Sequence, residues 1–216
     1  SLQNTGYDEV SFTSLSAGDY SCLVPVVRKF NNEFGASKIA LSLPSLRVAA
    51  VNRDILREIK SVRKTGFTIA PEAATQRLRN VINKNFTDDD YEKALSALFE
   101  EGWQSIKLYF MVGLPTETDE DIEAINEMAM KALRIAKKNT GRFVNIGVTV
   151  SPFIPKPHTP FQWFGHKASD ISEKLKYLRN SLSGKKFKYK GHNEHMSLLE
   201  AVFARGDESL AQLIEK

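Results

Sequence analysis

Ser105-Ile106-Lys107-Leu108-Tyr109-Phe110-Met111-Val112-Gly113-Leu114-Pro115-Thr116-Glu117-Thr118 is the stretch that decides the fold. Its first eight residues alternate strongly apolar side chains with others, the period of a strand that buries one face. Gly113 admits dihedrals closed to other residues, Pro115 ends the ladder and Thr118 opens a helix, so the stretch reads as strand, sharp turn, helix. The helix is expected over Asp119 to Lys138, where Ile122, Ile125, Ala129, Ala132, Leu133 and Ala136 share one face. Its ends are legible too. Thr118 is an N-cap with Asp121 three residues on, Asp119 and Glu120 complement the dipole, and Lys137-Lys138 followed by Gly141 mark the stop.

The same order recurs on both sides. Strand-like runs sit at Glu9 to Leu15, Lys38 to Leu43, Gly66 to Ala70 and Val144 to Ser151, and helix-like segments lie between them. Thr87 with Asp88 to Asp90 opens one such helix through Glu101, with Tyr91, Ala94, Leu95 and Leu98 inward. Strand followed by helix, repeated, implies an α/β fold with a parallel sheet. One face of the strands carries Val10, Phe12, Ile39, Leu41, Leu43, Phe67, Ile69, Ile106, Leu108, Phe110, Ile146, Val148 and Val150, a surface for helices to cover. The other carries Ser11, Thr13, Ala40, Ser42, Thr68, Ala70, Lys107, Tyr109, Met111, Gly147, Thr149 and Ser151. A doubly wound sheet is apolar on both faces and a closed barrel is filled with bulky branched residues; neither fits. The pattern predicts an incompletely closed barrel whose small, polar interior holds ligand, with its chemistry at the C-terminal strand ends.

Those ends supply the candidates: Ser14, Ser16, Ser42, Glu72, Met111, Glu117 and the segment Pro152 to His158. Glu72 can accept hydrogen bonds from hydroxyls or an amine of a ligand, or cap the next helix. Arg47 can clamp a carboxylate bidentately or sit on the surface. The segment Pro152 to Trp163 holds four of the eight prolines and three aromatics, which excludes helix and central strand and predicts a stiff loop. Cys22 reads as a small core residue.

The chain has 216 residues, 42% apolar and 26% charged, enough to bury a core. Nowhere are there 18 consecutive apolar residues, so no membrane-spanning helix is expected. One cysteine excludes a disulfide scaffold or a cysteine-built metal site within these residues and favours a reducing, cytoplasmic setting. The net charge of +4 is local. Lys167 to His195 carries eight basic against three acidic residues, while the remainder is close to neutral. Within that tail, Lys185-Lys186-Phe187-Lys188-Tyr189-Lys190 reads either as an exposed strand with a solvated face or as an RNA-tracking segment that pairs phosphate contacts with stacking. The chain divides into a barrel over 1–165 and a basic, mainly helical extension over 166–216. Five strands are few for a barrel and the chain opens Ser1-Leu2, so a strand upstream of Gln3 is expected to have been cut away.

In order and spacing, Tyr7 to Ser16, Pro71-Glu72, Lys107 to Thr118 and Pro155-Lys156-Pro157-His158-Thr159-Pro160 resemble radical S-adenosylmethionine enzymes, close to their elongator-like and methylthiotransferase-like branches. His158 to Trp163 and Ala201 to Asp207 are similar to an uncharacterised subfamily whose members often carry an N-terminal cobalamin-binding-like region. The resemblance implies a partial (β/α)6 TIM-like barrel, truncated at its N-terminus, with a helical C-terminal extension. It implies S-adenosylmethionine held against a [4Fe-4S] cluster and cleaved to methionine and a 5′-deoxyadenosyl radical, with a flavodoxin- or ferredoxin-type electron donor. The family's Cys-x3-Cys-x2-Cys loop is absent, so this fragment is expected to be inactive, to ligate no metal itself and to hold neither cofactor; an upstream region would be the place for cobalamin. Carried over residue by residue, Ser14 and Ser16 fall near the methionine amino group, Glu72 near the ribose with Arg77 following, and Met111 and Val112 near adenine. Ser42 and Arg47 join them by geometry alone. Catalytic residues and substrate are left unassigned, RNA is one candidate substrate, and the alternatives are an RNA-binding module on a βα barrel or an ordinary lyase or hydrolase.

Overall fold

The computed structural model describes residues 2–14, 17–43, 46–62, 66–184 and 186–215. In chain order the elements are α1 (Leu2–Thr5), β1 (Glu9–Ser11), α2 (Leu23–Phe34), β2 (Ala40–Ser42), α3 (Arg53–Lys60), β3 (Phe67–Glu72), α4 (Gln76–Val81) and α5 (Asp88–Glu100). They continue with β4 (Ser105–Val112), α6 (Asp119–Thr140), β5 (Asn145–Pro152), α7 (Ala168–Leu182), β6 (Phe187–Gly191), α8 (Glu194–Arg205) and α9 (Ala211–Ile214).

Local chemistry accounts for the helix starts. Thr87 and Asp90 form a reciprocal capping box at α5, the hydroxyl accepting from the Asp90 N–H at 3.2 Å and the carboxylate from the Thr87 N–H at 2.8 Å. Asn52 caps α3 by accepting from the N–H groups of Asp54 and Ile55, each at 3.1 Å. At α6, Asp121 reaches back to accept from the Thr118 N–H at 2.8 Å, and Gly141 (φ +60°) ends the helix in the left-handed region. The faces follow the apolar spacing: Tyr91, Ala94, Leu95 and Leu98 are buried on α5, and Ile122, Ile125, Ala129, Ala132 and Ala136 on α6.

Strands β1 and β2 pair in parallel with Val10 opposite Leu41, and β3, β4, β5 and β6 form a second sheet in that order. Leu46, four residues beyond β2, makes a parallel bridge to Ile69 of β3. Between β4 and β5, Asn145 donates to Gln104 at one end and Phe153 to Val112 at the other, the constant offset of parallel strands. Runs Ser105–Val112 and Asn145–Pro152 match the sequence expectation within a residue. Strand β1 runs over Glu9–Ser11, after which Phe12 donates to the Ser42 carbonyl at 3.0 Å; its expected end, Leu15, lies outside the described residues.

Burial alternates as the two-face reading requires. Ile106, Leu108 and Phe110 are buried, while Lys107 and Tyr109 are exposed; Phe67 and Ile69 are buried, while Thr68 and Ala70 are half-buried. Met111, Gly147 and Ser151 are half-buried as well, and Thr149 is the buried member of that face. One expectation is corrected. Cys22 is exposed immediately before α2 rather than in the core, because Leu23 and Val27 take the buried stripe. Phe187 to Gly191, within the tail, is a sheet strand beside β5, with Phe187 and Tyr189 turned in and Lys188 and Lys190 out.

Contacts gather into two compact units, residues 1–71, 85–108 and 129–146 in one and 72–84, 109–128 and 147–216 in the other. The first holds the paired β1 and β2, an aromatic edge contact between Phe67 and Trp103, and ion pairs of Arg57 and Lys60 with Glu101 at 3.0 and 2.7 Å. The second holds the loops that follow β3, β4 and β5. Among the described residues no helix is long and apolar enough to cross a membrane. Replacing Thr87 with Ala removes half of the α5 capping box and is expected to cost about 1 kcal/mol; urea unfolding should show a lower midpoint at unchanged slope.

Candidate functional site

Five non-glycine residues among those described have positive φ, and three lie just after β3, β4 and β5 or at the end of one: Glu72 (+67°), Thr116 (+64°) and His158 (+62°). A side chain in the left-handed region costs free energy, so its repetition at neighbouring strand ends marks loops held in shape by their surroundings.

The restraint is visible in named contacts. Asp121 of α6 is 2% exposed and accepts from the Thr118 N–H at 2.8 Å, from the Thr118 hydroxyl at 3.0 Å, and from Thr75 Oγ1 and the Arg77 guanidinium. Burial pushes the Asp121 carboxyl up, but hydrogen bonds from Thr75, Thr118 and Arg77 outweigh it and hold the group below the ordinary aspartate range. Arg77 also donates to Thr116, to the hydroxyl at 3.2 Å and the carbonyl at 2.9 Å. The helix after β3 is thereby latched to the turn after β4. That turn is closed from inside by Glu117, whose carboxylate accepts from the Gly113 N–H at 2.8 Å and the Leu114 N–H at 3.4 Å and pairs with Lys174 of α7 at 2.8 Å. Gly113 is required twice over. Its φ is +83°, and a Cβ there would stand 3.0 Å from Ile171.

Apolar contacts complete the frame. Ala73 and Leu78 after β3, Leu114 after β4, and Met111 and Phe153 pack in one cluster. Phe153, Phe161 and Phe164 continue it through two edge-to-face contacts at 5.9 and 5.5 Å. The proline-rich loop is anchored to α8 as well, by Lys156 to Glu200 at 2.6 Å and by Arg205 donating to the Phe164 carbonyl at 2.7 Å. A cavity of about 260 Å³ adjoins the Gly113 to Glu117 turn, walled by Lys167, Asp170, Ile171 and Lys174. A larger groove of about 490 Å³ runs between α6 and α7, lined by Asp119, Ile122, Glu123, Asp170, Glu173 and Tyr177, with no strand-end residue among its walls.

Ser14 is exposed after β1 in the first unit, Ser42 is half-buried at the end of β2, and Ser16 lies outside the described residues. Arg47 is exposed and pairs with Asp19 at 3.4 Å. Glu72, Arg77, Met111 and Val112 all belong to the second unit. Glu72 caps nothing: Thr75 is the N-cap of α4, and Glu72 Oε1 instead pairs with Lys84 Nζ at 2.8 Å. Arg77 is occupied by Asp121 and Thr116. Met111 is half-buried against the apolar cluster, and Val112 is fully buried, with its carbonyl accepting from the Phe153 N–H at 2.7 Å. Asp121 and Lys84 were not among the sequence candidates. Asp121 could be found as the cap partner of Thr118, but the pairing of Lys84 with Glu72, twelve positions apart, has no periodic signal.

The aromatics of β6 have partners within the fold. Phe187 is buried, and Tyr189 donates to the Leu175 carbonyl at 3.4 Å, its hydroxyl pushed up by burial. Among the described residues no three His, Cys, Asp or Glu side chains are grouped to hold a metal ion, and the chain's one cysteine, Cys22, is exposed.

The family profile described as the radical SAM superfamily matches residues 1–129. An uncharacterized protein of Methanocaldococcus jannaschii is 34% identical over 210 residues, 96% of this chain and 44% of that protein. The archaeal Elp3 of Methanocaldococcus infernus, with its first 46 residues deleted, superposes with a TM-score of 0.59 at 13% identity over 94% of this chain and 55% of that one. The chain thus spans about half the length of the proteins it matches. The likeness to Elp3 shows the fold, an α/β partial barrel of parallel strands with a helical C-terminal portion.

Replacing Asp121 with Asn keeps the shape but removes the charge that Arg77 and the two threonines serve, a loss of about 2 kcal/mol. An aspartate held below its ordinary value contributes stability above about pH 4 that is lost as pH falls through the lowered folded-state value. The melting-temperature gap between wild type and the variant should be full at pH 7 and shrink below pH 4.

Proposed function

The chain belongs to the radical SAM superfamily, and from that premise we propose that it is the adenosyl-binding barrel portion of an enzyme that, at full length, cleaves S-adenosylmethionine reductively to act on a further substrate. S-adenosylmethionine beside a reduced [4Fe-4S] cluster supplies a 5′-deoxyadenosyl radical; what this chain contributes is the binding surface. The observation that carries the reading is the face of β3, β4 and β5 that ends at Glu72, Met111 and Ser151. It is small or polar and incompletely covered, whereas the opposite face is packed with Ile, Leu, Phe and Val.

The residues present fit the adenosyl group better than the cluster. Glu72 offers a carboxylate to hydroxyls and Met111 an apolar contact, whereas Val112, fully buried with its carbonyl bonded to Phe153, offers none. The cluster needs thiolates, and one exposed cysteine does not provide them, so the ligating cysteines of the working enzyme are proposed to lie outside these 216 residues, and the chain alone to be inactive. A reducing protein partner of the flavodoxin or ferredoxin type would feed that cluster, and cobalamin would likewise bind outside the barrel. A hydrolytic or lyase barrel would not need the redox cofactor that this superfamily is built around, and an RNA module would need the stacking aromatics that β6 keeps inside.

In the native gene, three cysteines at Cys-x3-Cys-x2-Cys spacing are expected in the coding sequence ahead of Gln3. The full-length protein, purified without oxygen and reconstituted with iron and sulfide, should then bind about four of each and release 5′-deoxyadenosine when given dithionite and S-adenosylmethionine. A native sequence without such cysteines would sink the proposal.

A further inference from the structure

Helix α8 reverses the usual order of a surface helix. Asn193 caps it, accepting from the N–H groups of His195 and Met196 at 3.0 and 3.2 Å, and the helix packs on α7 with its small residues Ser197 and Ala201 buried. Two of its charged side chains serve the neighbouring loop, Glu200 pairing with Lys156 at 2.6 Å and Arg205 donating to the Phe164 carbonyl at 2.7 Å. The side turned to water is apolar. Met196, Leu198, Leu199, Val202 and Phe203 run from 40% exposed at Leu199 to 61% at Met196, where an amphipathic helix normally carries its polar residues. Spacings of three and four make them neighbours on the helix surface, and a contiguous apolar patch of this kind marks a contact with another surface.

Charge and spacing identify that surface. A helix that lies on a membrane is rich in Lys and Arg, whereas α8 carries Glu194, Glu200 and a single Arg. Met196 and Phe203 stand equally far to either side of the bond between Leu199 and Glu200, and so do Glu194 and Arg205. Eleven residues, about three turns, separate Glu194 from Arg205, so the two charges share one flank of the helix. Among the described residues neither has an ion pair.

We infer that the outer face of α8 is a self-association surface: two copies of this protein pair it antiparallel about a two-fold axis, Met196 of each against Phe203 of the other, Leu199 at the centre, and Glu194 of each beside Arg205 of the other. A two-fold contact is self-complementary in this way, one residue meeting a second and the second meeting the first. Removal of the apolar side chains from water supplies the affinity, with a thioether set on an aromatic ring at each end. The end charges fix the direction, since only the antiparallel arrangement brings Glu194 and Arg205 to the same end and the same flank. This association is independent of the reaction proposed above.

Sedimentation equilibrium of the full-length protein, with the melting temperature of each variant alongside, tests the pairing. Wild type should be a dimer with a dissociation constant in the micromolar range, and Leu199→Glu, which places a charge at the two-fold axis, should weaken association about a hundredfold. Glu194→Arg and Arg205→Glu should each weaken it about tenfold, and the two exchanges together should restore the wild-type value. A wild type that stays monomeric, its α8 face covered by other parts of its own polypeptide or by a different protein, overturns the inference. So does a dimer that Leu199→Glu leaves intact, or one that the double exchange fails to restore. Should Leu199→Glu lower the melting temperature and so lose association by unfolding, the charge exchange, made on exposed side chains, decides alone.

Discussion

A carboxylate cannot be taken out of water without company, and Asp121 is almost wholly buried. Its free energy is acceptable only because Thr75, Arg77 and Thr118 all donate to it. Those donors come from the segment after β3 and from the turn after β4, so satisfying one charge fixes two loops against each other. The rest of that unit depends on this arrangement. Arg77, drawn toward Asp121, also holds Thr116 in the left-handed region, and Thr116 shapes the turn that Glu117 closes from inside.

Loops built this way are stiff for reasons other than regular secondary structure. Glu117 takes up the N–H groups that the strand leaves open at Gly113 and Leu114, which a bound anion would otherwise do, and it is itself neutralised by Lys174. Glu72 differs from both acids. Its partner Lys84 engages one oxygen, and the residue stands on the face that side chains do not fill. Of these three carboxylates, Asp121 and Glu117 each gather several donors and hold loops, whereas Glu72 pairs with Lys84 at the end of β3.

Much of this was legible before any coordinates. Thr118 with Asp121 and Thr87 with Asp90 announced their helices, because a cap is a contact between residues three apart and needs no tertiary context. Strands β4 and β5 were legible within a residue because each buries one face completely. Strand β1 is shorter than its alternation suggests, its pairing with β2 covering Glu9 to Ser11. Cys22 read as core because it precedes an amphipathic helix, yet the stripe begins one residue later. The tail's lysine and aromatic alternation is open to two readings from sequence; in the fold Phe187 and Tyr189 turn in beside β5 while Lys188 and Lys190 face out.

What the sequence by itself determined is the order of strands and helices, which face of each strand is apolar, and where the helices begin, since all three depend on residues a few positions apart. Only the tertiary structure decided that Arg77 serves Asp121 and Thr116, that Glu72 pairs with Lys84, and that Val112 turns its side chain into the core. Each of these is a contact between segments whose separation along the chain has no period, so it exists only once packing has brought the loops together. Charged side chains with several potential partners take the ones that packing leaves within reach.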